Sequence, residues 1–150
     1  MLFRSPDPRL SGYLTRALSH EMAAVQQYLM QAKLVGLWGM DEMSKRMCED
    51  VQEELIHAER LMERMLVLGI PSNAVLLPPA RTGRSVEEMW LINRELEMDA
   101  VRLYEEGVHY CARIRDSETQ VLFADILQEE LGHLGELERL LNTKQIGAGA

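Results

Sequence analysis

A chain of 150 residues and 17.2 kDa holds one domain with a substantial core and is too short for two. Apolar residues make up 47% of it, with ten Met but only 5% aromatics, which favours an all-helical protein. The net charge of −8 argues against a nucleic-acid surface, which needs a basic stripe, and suits a protein that attracts cations.

The apolar stripe Leu14, Leu18, Val25, Ala32 and Val35 predicts a first helix over about 10–37, ending near Gly36 and Gly39, with Glu21 and Tyr28 on the same stripe. A second helix is expected over about 41–69, capped by Asp41, with Met43, Met47, Val51, Ala58, Leu61, Met65 and Leu68 inward beside Glu54 and His57. Gly69 and Pro71 stop it. Residues 70–84 carry Pro71, Pro78, Pro79 and Gly83 without helical periodicity, so they read as a crossover long enough to run the length of a bundle. Ser85-Val-Glu-Glu88 is a capping box that opens a third helix over 85–114, with Trp90, Val101, Val108 and Cys111 inward alongside Glu97 and Tyr104. Asp116 or Ser117 caps a fourth helix over 117–141, where Phe123, Ile126, Leu137 and Leu140 bracket Glu130 and His133. Residues 142–150, ending Gly-Ala-Gly-Ala, are expected as a flexible tail. Residues 1–150 thus form one all-α domain, two helical hairpins joined by one long crossover.

Two Glu-x-x-His motifs, Glu54-Leu55-Ile56-His57 and Glu130-Leu131-Gly132-His133, each follow a lone glutamate by the same distance. Glu54 stands 33 residues after Glu21 and Glu130 stands 33 after Glu97, so the halves repeat with an offset of 76. The same offset pairs Tyr28 with Tyr104 and Glu53 with Glu129. Residues i and i+3 share a helix face, so each motif offers a carboxylate and an imidazole to one point inside the bundle. Four carboxylates in a dry core need compensation. Two divalent cations balance their charge while neutral His57 and His133 complete the coordination, which makes Glu21, Glu54, His57, Glu97, Glu130 and His133 a dinuclear metal site.

Carboxylate-rich ligation with one imidazole per metal suits iron best, with manganese or zinc as other occupants. In this reading Glu21 and Glu97 are terminal ligands and Glu54 and Glu130 bridge. Tyr28 and Tyr104 lie two turns from the lone glutamates, where they read either as core tyrosines or as groups that hydrogen-bond a ligand or supply an electron. Glu53 and Glu129 read as solvated charges or as carboxylates that orient the opposite imidazoles. His20 and His109 fall off the stripes and are expected on the surface, and Cys48 and Cys111 are expected as small buried or half-buried hydrophobes.

On these residues, and on Glu21-Met-Ala-Ala-Val-Gln-Gln-Tyr28, Trp38-Gly39, Glu53 to Arg60, Leu68-Gly-Ile-Pro71, Glu95-Leu-Glu97 and Glu129 to His133, the chain resembles the bacterioferritins from about Leu10 to Leu141. The resemblance implies a ferritin-like four-helix bundle whose ferroxidase centre binds two Fe(II) per chain at the six ligands. It oxidises them with dioxygen or hydrogen peroxide, and Fe(III) passes to a mineral inside a hollow 24-subunit shell. It also implies a homo-oligomer, at least a dimer through the first two helices, or a subunit that co-assembles with other bacterioferritin chains.

Two departures accompany the resemblance. The family's haem-ligating methionine follows the first bridging glutamate; here Leu55 has no lone pair to donate, so haem held in that manner is not expected, although Met22 and Met30 lie in the same helical region. The family's fifth helix is not expected after residue 142, and Glu49 and Glu53 stand where some members hold iron on the inner shell surface by histidine. A ferritin-like oxidase acting on an organic substrate without storing iron is the competing reading. The Met1–Pro8 run lacks the apolar core of a secretory signal, no stretch approaches an uncharged bilayer span, and two widely spaced cysteines suggest no disulfide framework, so a soluble cytoplasmic protein is expected.

Overall fold

Each helix end has a local chemical cause. Asp7 accepts hydrogen bonds from the backbone N–H groups of Arg9 and Leu10, and Pro8, which has no N–H to lose, begins α1 (Pro8–Leu37). Gly39, at φ 84°, ends it: its N–H bonds the Gly36 carbonyl while the Met40 N–H reaches back to Val35. Helix α2 (Asp41–Val67) starts at Met40 without a side-chain cap, so Asp41 stands in the first turn and not at the cap position expected of it. There its charge still complements the helix dipole. Gly69 repeats the glycine ending, and Ile70 behind it is buried. Ser85 accepts from the Glu88 N–H to open α3 (Val86–Arg113), and Asp116 accepts from the Thr119 N–H to open α4 (Ser117–Ala148).

The computed structural model describes residues 5–71 and 77–148, with side chains through residue 143. Among the described residues there are four helices and no strand. Past residue 141, where a flexible tail is expected, α4 continues to Ala148; no proline interrupts its ladder, and the Thr143 hydroxyl donates to the Arg139 carbonyl. Residues 149–150 of that tail, and 72–76 of the crossover, lie outside the described residues.

Helix α1 packs along α2 and α3 along α4, forming two hairpins; α1 also meets α3, and α2 meets α4 more sparingly. Pairing of Glu21 with Tyr104 and of Tyr28 with Glu97 makes α1 and α3 antiparallel. Arg60 with Asp125, and Arg64 with Thr119, do the same for α2 and α4. The crossover therefore carries the chain from one end of the bundle back to the other, which is the ferritin-like connection.

The core is uneven along the bundle. One half is filled by Leu14, Leu18, Leu61, Met65, Tyr104, Phe123 and Ile126, whereas the other holds the small cluster Ala24, Tyr28 and Val51 with Ala32, Val35, Met89 and Ile92 buried on α1 and α3. Met43, Met47, Trp90, Leu137 and Leu140, expected inward as core, are half-buried there and line an open cavity of about 1010 Å³. The first buried residue of α2 is Val51, and the start of α2 and the end of α4 both line that cavity.

Candidate metal centre

At the boundary between the filled half and the cavity, all four helices turn acidic groups inward. Glu21, Glu54 and Glu97 are at most 2% exposed, and Glu130 and His57 are 1% exposed. Their positions follow from the stripes: Glu21 lies between Leu18 and Ala24, Glu54 between Val51 and Ala58, and Glu97 between Asn93 and Ala100.

Two groups of ligand atoms result, each with all atoms within 4.8 Å of one another: Glu21, Glu54, His57 and Glu130, and Glu54, Glu97, Glu130 and His133. Glu54 and Glu130 belong to both. Nδ1 of His57 lies 3.4 Å from Glu54 Oε2 and 3.0 Å from Glu130 Oε1, while Nδ1 of His133 lies 3.2 Å from Glu54 Oε1 and 3.5 Å from Glu130 Oε2. Each shared carboxylate thus turns one oxygen to each side. The terminal Glu21 and Glu97 stand 3.5 and 3.7 Å from the nearer imidazole.

One oxygen of each terminal carboxylate is already satisfied. Tyr104 donates to Glu21 Oε1 at 2.6 Å, and Tyr28 donates to Glu97 Oε1 at 2.5 Å. Glu21 Oε2, Glu97 Oε2, Glu54 Oε1, Glu130 Oε1 and His57 Nδ1 are buried without a hydrogen-bond partner. Orphaned buried acceptors are costly unless a cation meets them. The donor set of oxygen with one imidazole per side fits two hard-to-borderline divalent ions such as iron or manganese.

Without a cation the buried groups shift one another's titration. Burial pushes Glu21 and Glu97 well above the usual carboxylate range, reinforced for Glu21 by Glu54 and for Glu97 by Glu130. Burial opposes charge on His57 and His133 too, but three surrounding carboxylates outweigh it and hold both imidazoles far above their ordinary value. Burial works to raise Glu54 and Glu130, but the adjacent terminal carboxyl and the two imidazoles outweigh it, and both shift down. Burial, then the adjacent carboxylates, raise Tyr28 and Tyr104 well above the usual phenol range, so both remain donors.

On the outer side of the imidazoles, Glu129 sits against His57 Nε2, and Glu53 lies 2.7 Å from His133 Nε2, where its carboxylate accepts when that nitrogen carries the ring proton. A buried amide cluster stands beyond Tyr28 and is absent from the sequence reading. The Gln27 and Gln31 side chains donate to Asn93 Oδ1, Asn93 donates back to Gln31, and Gln31 and Gln27 bond the Arg81 carbonyl and N–H. Their spacing carries the signal: Gln27 and Gln31 follow Glu21 on its stripe, and Asn93 precedes Glu97 by one turn. His20 is half-buried, not surface, and burial lowers its pKa; His109 is exposed as expected. Cys48 and Cys111 are free, half-buried and buried respectively.

An all-α bundle of two hairpins joined by a long crossover, with two carboxylate-rich tetrads that share two glutamates, places the protein in the ferritin-like class. A ferritin-like domain model matches residues 12–146. The chain is 33% identical over 132 residues to the bacterioferritin of Rhodobacter capsulatus, covering 88% of this chain and 82% of that one. It is 33% identical over 137 residues to that of Streptomyces coelicolor, covering 91% and 81%. Solved structures agree: Mycobacterium tuberculosis bacterioferritin BfrA superimposes with a TM-score of 0.90 at 25% identity, and Rhodobacter capsulatus bacterioferritin with 0.90 at 30%, each over 95% of this chain and 89% of the other. The chain belongs to the bacterioferritin family.

Proposed function

We propose that this protein is an iron-storage ferroxidase subunit that binds two Fe(II) per chain at Glu21, Glu54, His57, Glu97, Glu130 and His133 and oxidises them to Fe(III). The observation that carries this reading is the sharing of Glu54 and Glu130 between two four-ligand groups, with inward carboxylate oxygens left unpartnered. Two Fe(II) would give up two electrons, which reduce one dioxygen to hydrogen peroxide with uptake of two protons, or reduce one hydrogen peroxide to two hydroxides. The chain's own contribution is to hold both ions between bridging carboxylates and to keep Tyr28 and Tyr104 as protonated donors on the terminal ones. The likeness to bacterioferritins supports assembly into a homo-oligomeric shell or with other bacterioferritin chains. No helix among the described residues is long and apolar enough to cross a membrane, and the two free cysteines are consistent with the cytoplasm proposed here.

A second reading, oxidation of an organic substrate without storage, draws on the cavity of about 1010 Å³ that reaches Tyr28, Glu97 and His133. Anaerobic titration with Fe(II), followed by mixing with dioxygen or hydrogen peroxide, tests the first. Two Fe(II) per chain with a fast oxidation phase are expected, and Glu54→Ala or His133→Ala abolishes that phase; fast oxidation retained in both variants overturns the assignment. Light scattering and mineral loading then separate storage from the second reading.

A further inference from the structure

The face of α2 that carries His57 and Glu54 continues toward its N-terminus as Asp50, Met47, Met43 and Met40, in alternating steps of three and four residues that keep all six on one side of the helix. Met40, Met43, Met47 and Asp50 line the open cavity of about 1010 Å³, which also reaches Glu97 and His133. Along the helix axis Met47 stands about 10 Å from Glu54, and Met43 about 16 Å. Of the two ligand histidines, His133 is 24% exposed and lines the cavity, whereas His57 is 1% exposed and does not, so the centre opens on this side.

Packing does not account for these three sulfurs. Met65 and Met89, at 2% and 0% exposure, fill the core in the way flexible Met side chains do. Met43 and Met47 are half-buried and Met40 is exposed, all beside a gap that stays open, and Leu137 and Leu140 on the α4 side of that gap have no lone pair to offer. A thioether is a two-electron reductant, converted by peroxide to the sulfoxide. Hydrogen peroxide is the product of dioxygen reduction by two Fe(II), and the row of thioethers lines the space onto which the centre opens.

We propose that Met47, Met43 and Met40 form an oxidant trap for hydrogen peroxide released at the dinuclear centre. The sulfur lone pair attacks one peroxide oxygen, an S–O bond forms and the O–O bond breaks. The other oxygen leaves with both protons as water, so peroxide is reduced by two electrons and the thioether is oxidised to a sulfoxide. The proposal rests on the ferroxidase reading above, and the experiment separates the two.

Fe(II), two per chain, is mixed with dioxygen and the full-length protein in the presence of catalase, which removes peroxide from bulk solution. Tandem mass spectrometry of tryptic peptides then reads the gain of about 16 Da that marks each sulfoxide. Met98 is the reference, being 40% exposed on α3 and not on the cavity wall. In this arm Met47 and Met43 are expected to be oxidised ahead of Met98, although they are the less exposed. Peroxide added to metal-free protein should invert that order, because exposure to bulk solution then decides. The double variant Met43→Leu, Met47→Leu, close to volume-neutral, should let more peroxide escape per Fe(II) oxidised when catalase is omitted. Rapid Fe(II) oxidation that leaves Met43 and Met47 unmodified, the same order of oxidation in both arms, or unchanged peroxide escape in the double variant overturns the trap and leaves the ferroxidase reading standing. Failure of wild type to oxidise Fe(II) overturns both.

Discussion

The Tyr28 phenol on α1 donates to Glu97 on α3 at 2.5 Å, and the relationship recurs in reverse where Tyr104 on α3 donates to Glu21 on α1 at 2.6 Å. Each terminal carboxylate thereby has one oxygen tied down and one left for a cation. A hydrogen bond to a charged group is worth about 1.5–3 kcal/mol. Tyr28→Phe and Tyr104→Phe are therefore each expected to weaken metal binding about 10-fold or more while preserving two ions per chain, with similar losses in both. Calorimetric titration with Co(II) checks the affinities. A slowed Fe(II) oxidation in Tyr28→Phe alone, with binding intact, would instead assign Tyr28 an electron-transfer role.

The buried amides behind Tyr28 staple the crossover to the bundle. Removing the Gln31 amide leaves the Arg81 carbonyl and the Asn93 amide without their partner in a site where Gln31 is 1% exposed. Each unsatisfied buried group costs about 1–3 kcal/mol, so Gln31→Leu should destabilise the protein by at least about 2 kcal/mol in urea unfolding. Trypsin should also cut after Arg81 faster in the variant, since its backbone N–H and carbonyl are held by Gln27 and Gln31. Unchanged digestion would show that the crossover is secured elsewhere.

What the sequence made legible and what it concealed divide along a physical line. The convergence of Glu21, Glu54, His57, Glu97, Glu130 and His133 was legible because they are polar residues on apolar stripes, repeated at a fixed offset. The Ser85 cap is local chemistry: its hydroxyl accepts from the Glu88 N–H as read, while the Glu88 carboxylate accepts from the Arg84 N–H and not from that of Ser85. Periodicity identified the inward face of Met43, Met47, Leu137 and Leu140, but not how far away the facing helix stands, so a cavity wall looked like core. Gln27, Gln31 and Asn93 escaped notice because each is satisfied by partners 50 or more residues away.

Gly107 and Gly135 both sit inside helices and should respond oppositely to alanine. A Cβ at Gly107 would meet Phe123 ring carbons at 2.7 and 2.9 Å, whereas one at Gly135 has nothing within 4 Å. Phe123 cannot retreat freely, being 1% exposed and packed edge-on to Tyr104 at 5.7 Å. Overpacking of about 1–3 kcal/mol should outweigh the helix-propensity gain of about 1 kcal/mol at Gly107, while Gly135→Ala should stabilise by up to about 1 kcal/mol. Gly107→Ala should also loosen Co(II) on the His57 side, because Tyr104 carries the Glu21 hydrogen bond. Thermal unfolding of the two variants decides the sign.

Leu55 packs against the small cluster of Ala24, Tyr28 and Val51 and offers no lone pair. Haem added to the wild-type protein is expected to give no bis-methionine spectrum. Leu55→Met is close to volume-neutral and should cost less than about 1.5 kcal/mol. It supplies the thioether at the position where the family resemblance places the haem ligand, so a bis-methionine spectrum should follow reconstitution of the variant. That spectrum in wild type would mean another side chain ligates haem.

Asp116 joins the end of α2 to the start of α4. It accepts from the Thr119 hydroxyl at 2.6 Å and N–H at 3.0 Å, and pairs with Arg64 at 3.1 Å. Burial works to raise its pKa from the ordinary 3.8, but the Thr119 hydrogen bonds and Arg64 outweigh it, and the net shift is downward. A depressed folded-state pKa means that the contribution is fully present above 3.8 and fades as pH falls through the lower folded value. Asp116→Asn keeps an acceptor for the Thr119 N–H but loses the charge facing Arg64. The stability gap between wild type and this variant, from urea midpoints of metal-free protein, should be constant from pH 7 to about pH 5 and shrink below about pH 4. A gap that stays constant down to pH 2 would mean that Asp116 acts through its cap geometry and not its charge.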